Sequence, residues 1–262
     1  MSELICCTPR SLPKRLQVAA AKRAVSVNPA NHPGAAMVAR ALGAAPTAAR
    51  IAVMIGKRWP AAGVRLTVAF MDNAPADLRT RILLHMNAWG KTANVTFTQT
   101  RTNGQVRIAR ATSPASAAGY WSYLGTDILS IPANRATMNL EAFTMNTPES
   151  EFHRVVRHET GHTLGFPHEH MRRELVAKID AKKAIAYFGR TQGWTEAEVR
   201  QQVLTPIEES SLLGTAHADP NSIMCYQIPG TLTKDGKTIP GGVDIDAQDY
   251  AFAASLYPKR VR

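Results

Sequence analysis

Cysteine is nearly missing from this chain. There are three among 262 residues, Cys6, Cys7 and Cys225, and none between positions 8 and 224. Two of the three are adjacent, so one bridge at most is plausible and a disulfide framework is excluded. Nothing in that count calls for an oxidising compartment. Long apolar runs are missing too, and no stretch approaches the roughly 18 residues that a membrane-spanning helix needs. The opening MSELICCTPRSLPKRLQ has neither an apolar core of signal-peptide length nor a basic region ahead of one. The compartment stays unknown, with the cytoplasm or export by a non-standard route as the expectation.

Acidic side chains are almost absent from the first 58 residues, where Glu3 faces nine Lys and Arg, a balance of +8 within a total of +11. The other 22 basic and 19 acidic residues nearly cancel. A basic arm could touch nucleic acid or anionic lipid. Its charge is confined to one end, so it reads as a solvated extension, and nucleic-acid binding is not expected. Apolar content of 45% and charged content of 19% are ordinary for a soluble globular protein of one large or two small domains.

Residues 17–56 are Ala-rich with Pro, Asn and Gly interruptions. QVAAAKRAVSV and AAMVARALGAAPTAARIAVMI could form short helices of an arm or pro-segment. At RWPAAGVRLTVAFMD the pattern changes, with Val64, Leu66, Val68 and Phe70 alternating as in a strand. Leu78, Ile82, Leu83, Met86 and Trp89 follow at helical spacing, with Gly90 as a stop. NVTFTQT, GQVRIARA and GYWSYLGTDILSI read as further strands. A strand, a helix and several strands predict a twisted, mainly N-terminal sheet backed by helices. In TPESEFHRVVRHETGHTLG, Thr147 is the expected cap, Pro148 the first helical residue and Gly165 the stop. The C-terminal part predicts a helix in DAKKAIAYFG, a Thr195/Glu198 capping box, a turn at 234–237 and a last helix from about Asp246 to Tyr257.

Four of the eight histidines fall within RHETGHTLGFPHEH. His158 and His162, four apart, share one helix face and can ligate one ion. Glu159 lies about 100° around the helix, too far to complete that pair yet close enough to act on a water held there. Gly165 lets the chain turn back, and Phe166-Pro167 leads to His168 as a third imidazole. Zinc takes His nitrogen at about 2.0–2.1 Å in tetrahedral sites. The spacing is that of a three-histidine zinc site with a position left for water.

HETGHTLGFPHE (158–169) resembles the long zinc signature of the astacin family of metzincin proteases at every fixed position, and SIMCY (222–226) resembles its Met-turn. The likeness runs from about Trp59 to Tyr257 and leaves out residues 1–50. It implies an α+β metzincin-like fold with a smaller, irregular and helical C-terminal lobe. It implies His158, His162 and His168 as ligands of one catalytic zinc ion, Glu159 as general base and Met224 as the floor beneath the metal. Tyr226 is implied as the switchable phenol, and Glu169 as the acid that receives a mature N-terminus. Trp121, Ser122 and Tyr123 are implied near the edge strand where substrate pairs. The chain departs from the pattern in its missing inter-lobe disulfides and in Cys225, which stands where the Met-turn has His. The family's pro-segment inhibits through an aspartate, and no Asp precedes Asp72. Cys6 or Cys7 could supply a thiolate instead, as in matrixins, although ICCTPR matches their segment poorly. A divergent, disulfide-poor, bacterial-type branch is expected.

The resulting expectation is a monomeric zinc endopeptidase acting on peptides or proteins. It has an extension or pro-segment at 1–50, a catalytic domain at 51–258 and a basic tail at 259–262. The alternatives are a zinc amidase on a non-protein substrate, a basic nucleic-acid-binding protein with a structural zinc, and a site whose third ligand is not His168. His153 and His170 read as helix-surface or outer residues, and Arg172 and Arg173 as a solvated turn or cleft rim.

Overall fold

A computed structural model describes residues 7, 10–33, 56–114, 117–206 and 218–259. Cys6, the proposed helix at 35–55 and the tail beyond Lys259 lie outside them. The alternating run forms β1 (Val64–Phe70), and α2 (Ala76–Met86) buries Leu78, Ile82 and Met86 against it, α1 being Lys14–Val27. The sheet is completed by β2 (Val95–Gln99), β3 (Val106–Ala109), β4 (Tyr120–Ser122) and β5 (Met138–Leu140), in the order β2-β1-β3-β5-β4. All neighbours are parallel except β4, which runs antiparallel to β5 at the sheet edge.

The α+β architecture is as expected, with two differences in the sheet. GYWSYLGTDILSI yields only three strand residues before a 3₁₀ segment, Gly125–Ser130, takes over. The interior strand β5 was not foreseen, since three residues between turns carry no readable periodicity.

Beneath the sheet, the helix comprises α3 (Glu149–Glu151), a π-helical stretch Phe152–Val156 and α4 (Arg157–Thr163) in unbroken succession. Thr147 does not cap it. Its hydroxyl accepts from the Thr144 N–H in the preceding turn, and Pro148 takes the cap position with extended backbone. The C-terminal part holds α5 (Ala181–Gln192), the Thr195/Glu198 capping box as predicted, and α6 (Ala247–Leu256) capped by Asp246.

Two apolar clusters result. The larger joins the sheet to α2, the π-helical stretch and α6, and the smaller gathers α5 with Ile228, Leu232 and Ile239. Met224 belongs to the first and its neighbours Cys225 and Tyr226 to the second, so the Met-turn straddles them. No helix among the described residues is long and apolar enough to cross a membrane.

Cys7 and residues 10–33 pack onto this body. The Arg10 N–H donates to the Ser122 carbonyl at 3.0 Å, adding a parallel bridge outside β4. Leu12 and Ala20 pack against Ile131, and Arg23 donates to the Leu129 carbonyl. Asn31 closes the segment by bonding the Arg58 carbonyl (2.8 Å) and N–H (3.0 Å).

Candidate active site

The helix bearing HETGH ends in a Schellman motif. Gly165, at φ +96°, donates to the His162 carbonyl (2.8 Å), and Phe166 donates to the Gly161 carbonyl (3.0 Å). The next two orphan carbonyls are satisfied by aromatic donors: Trp59 Nε1 on Thr163 (2.8 Å) and Tyr257 Oη on Leu164 (2.6 Å). With the reversal fixed from both sides, His168 is brought beneath His158 and His162. The His168 Nε2 lies 3.2 Å from that of His158 and 3.0 Å from that of His162.

These distances identify what belongs there. His158 Nδ1 donates to the Ile223 carbonyl (2.6 Å) and His162 Nδ1 to that of Phe166 (2.7 Å). Each ring therefore turns a bare Nε2 lone pair inward. Burial lowers the pKa of all three, that of His158 to about 4, so the three rings are neutral at pH 7. Two bare nitrogens converging on a third imidazole in a buried site make a binding point for a cation. Tetrahedral zinc with nitrogen at about 2.05 Å sets its donors roughly 3.3 Å apart. The residues fit the metal.

Around this triad stand Glu159, Cys7 and Tyr226. Glu159 is fully buried, and its Oε2 accepts from Ser122 Oγ at 2.6 Å. Burial pushes its carboxyl up to about 7, while hydrogen bonds from Cys7 and Ser122 pull it down. The Cys7 Sγ and ligand nitrogens of His158, His162 and His168 all lie within 4.8 Å of one another. Tyr226 Oη donates to the Cys7 carbonyl, and its ring packs on His168 (centroids 4.4 Å) and stacks on His170 (4.0 Å).

The sequence profile of the Astacin peptidase family matches residues 52–239. The chain belongs to the astacin family. Its members are zinc metalloendopeptidases, and so is this protein. Two solved structures of myroilysin are similar at 31% identity over 78% of this chain, one with a TM-score of 0.72 over 97% of its own length, the other 0.58 over 86%. High choriolytic enzyme 1, a hatching enzyme zinc-protease from Oryzias latipes (medaka fish), is 16% identical over 78% of this chain and 94% of its own, with a TM-score of 0.52, and speaks to the fold alone. No curated protein sequence matches.

The turn at 222–226 packs against the helix that carries His158 and His162, Ile223 accepting from His158 and Met224 lying on Gly161. The Glu169 N–H donates to the Met224 carbonyl (2.8 Å), joining this turn to the third histidine's loop. Gly161 leaves room for Met224, for a Cβ there would stand 2.4 Å from its Sδ. Helix propensity alone makes Gly→Ala favourable by about 1 kcal/mol. Gly161→Ala is nonetheless expected to destabilise by about 1–3 kcal/mol in thermal denaturation, because overpacking wins. Adding Met224→Ala should recover part of the loss.

Asp249 holds the same turn to α6, accepting from Ser222 Oγ (2.6 Å) and the Ile223 N–H (2.9 Å). Burial raises its carboxyl from 3.8 to about 6. The folded state thus binds its proton more tightly, and this contribution to stability is lost as pH rises from about 4 to 6. Asp249→Asn should flatten that part of the profile by at most about 3 kcal/mol in denaturant titrations at pH 4 and 7. An unchanged difference between the two pH values would contradict this.

Of the two readings of His170 the outer one behind the ligands holds: it is fully buried, its ring 4.8 Å from that of His168, and it bonds the Gln202 carbonyl (3.0 Å). Arg172 is buried too, near Glu169, rather than in a solvated turn. Glu169 accepts from the Asp219 N–H at 3.1 Å. Of the three edge residues, Ser122 turns its hydroxyl to Glu159, while Trp121 lies under the Arg10 guanidinium (4.2 Å) and Tyr123 pairs with Arg10 by backbone. Asp249 and the Ser122 hydroxyl were not recognised from sequence, because only the folded turn and strand show their partners.

Proposed function

We propose that this endopeptidase is held latent by its own N-terminal segment, with Cys7 completing the metal's ligand set until residues 7–33 are displaced. The observation that carries this reading is the convergence of one thiol and three imidazoles beside a buried carboxylate. Four protein ligands ordinarily mark a structural zinc. Here one of the four rides on a segment outside the family match, which begins at residue 52, and the carboxylate of Glu159 stands ready beside them.

Once the segment leaves, zinc supplies Lewis-acid polarisation and a more acidic water. Glu159 takes the proton of the attacking water and returns it to the leaving amine. The Ser122 hydroxyl orients Oε2 for that transfer. Tyr226, freed from the Cys7 carbonyl, donates to the developing oxyanion, a contact typically worth about 3–4 kcal/mol. The backbone at Ser122 and Tyr123 that Arg10 occupies becomes the edge for an extended peptide. Every group comes from one chain, so a monomer suffices.

The test is cleavage of an unfolded protein by full-length chain and by chain cut within residues 34–55 and freed of its N-terminal piece. The cut form should be active, silenced by a chelator and restored by zinc. Full-length protein as active as the cut form would remove latency, and a zinc-loaded cut form without activity would remove the assigned roles.

A further inference from the structure

In the first turns of the same helix, away from the catalytic triad, lies a second convergence of metal-binding atoms. Glu149 and His153 lie four residues apart on one helix face, and His85 reaches them from the last turn of α2. His85 Nε2 stands 3.1 Å and His153 Nε2 3.4 Å from the same Glu149 oxygen, Oε1. These separations again match the roughly 3.3 Å between donors of a tetrahedral zinc ion. His85 is 2% exposed, and its Nε2 is buried without a hydrogen bond of acceptable geometry. His153 Nδ1 donates to Asp244 at 2.8 Å, the carboxylate-to-imidazole support that fixes a ligating ring and leaves its Nε2 bare. Glu149 is largely exposed, so an ion has a way in from solvent.

We infer that His85, Glu149 and His153 form a second site for a zinc-like divalent transition-metal ion, distinct from the catalytic centre. Imidazole and carboxylate donors suit zinc or cobalt, and water completes the coordination. Burial holds His85 near a pKa of about 4, so it is a neutral ligand at pH 7. Arg157 sets the affinity. It donates to His85 Nδ1 and faces His153 Nε2, both at 3.3 Å, while its short contact of 2.5 Å goes to Asp244. An incoming ion displaces the two long contacts and leaves the short one. Arg81, 2.5 Å from Glu149, also competes for the carboxylate. The second ion therefore binds more weakly than the catalytic one. Once bound, it ties α2 to the helix that carries His158 and Glu159.

This second site goes beyond the latency reading and does not rest on it. The probe is Co²⁺ titrated into metal-stripped full-length protein, followed by isothermal calorimetry and absorption. Wild type should take up two equivalents. The tighter one should show a sulfur-to-cobalt charge-transfer band from Cys7, and the weaker one ligand-field bands alone. His153→Gln and Glu149→Gln, both at partly exposed positions, should each lose the weaker equivalent, or weaken it at least tenfold, and keep the tighter. A wild type that binds one equivalent, or variants that keep both, would overturn the second site. Loss of the sulfur band alone would bear on Cys7 and leave this site standing.

Discussion

Glu159→Gln, in the form freed of its N-terminal segment, is expected to lower kcat/KM by about 10³–10⁴-fold while one zinc ion stays at the catalytic centre. General acid-base groups contribute about 10²–10⁴ each, and this one acts in both proton transfers. Gln keeps the side chain's volume and can still accept from Ser122 Oγ, now 2.6 Å from Oε2. The three ligands are imidazoles, two of them anchored by the Ile223 and Phe166 carbonyls, so the metal has no reason to leave. Folding stability should not fall, because a neutral amide is cheaper to bury than a carboxylate whose pKa burial raises to about 7. Zinc content, thermal unfolding and cleavage rate on one preparation separate these effects. A zinc-loaded, folded variant keeping a tenth of the activity would take the role of base from Glu159.

How much of this was legible in the sequence follows from how far apart the cooperating residues lie along the chain. His158, Glu159, His162, Gly165 and His168 were readable because one helix and one turn set their geometry. The capping box at Thr195 and the helix after Asp246 were readable on the same terms. Thr147 and Pro148 were misplaced by one position, since the sequence allows either residue to begin the helix and only the turn bond to Thr144 decides. β5 is an interior strand because of its neighbours, and three residues cannot announce that. Arg172 looks solvent-facing in a charged run, yet it is buried beside Glu169. Glu149 and His153 show helical spacing, but their partner His85 belongs to another helix. Cys7 is the extreme case. Its flanking residues resemble no known switch closely, and its meaning lies in three imidazoles far along the chain that only the fold brings to it.

Cys7→Ala should therefore switch on the uncut chain. Four ligands share about 10–16 kcal/mol in a structural zinc site, or ~3 kcal/mol each, so losing the thiolate should raise full-length activity by about 10²-fold. It should not reach the activity of the cut form. The Arg10 bond to Ser122, the Tyr226 bond to the Cys7 backbone and the packing of α1 all survive the substitution and keep the segment over the cleft. Arg10→Ala gives the contrast. It removes a cation–π contact with Trp121 worth about 0.5–2 kcal/mol and leaves the thiol in place, so activity should rise by about thirtyfold at most. Cys7→Ser tests sulfur against shape: its hydroxyl stays protonated at neutral pH and should release the enzyme nearly as well as Ala. The three variants, uncut and matched for zinc, are compared by initial rate against the cut protein. If Cys7→Ala stays as silent as wild type, the segment inhibits by covering the cleft, and the thiol is not the fourth ligand.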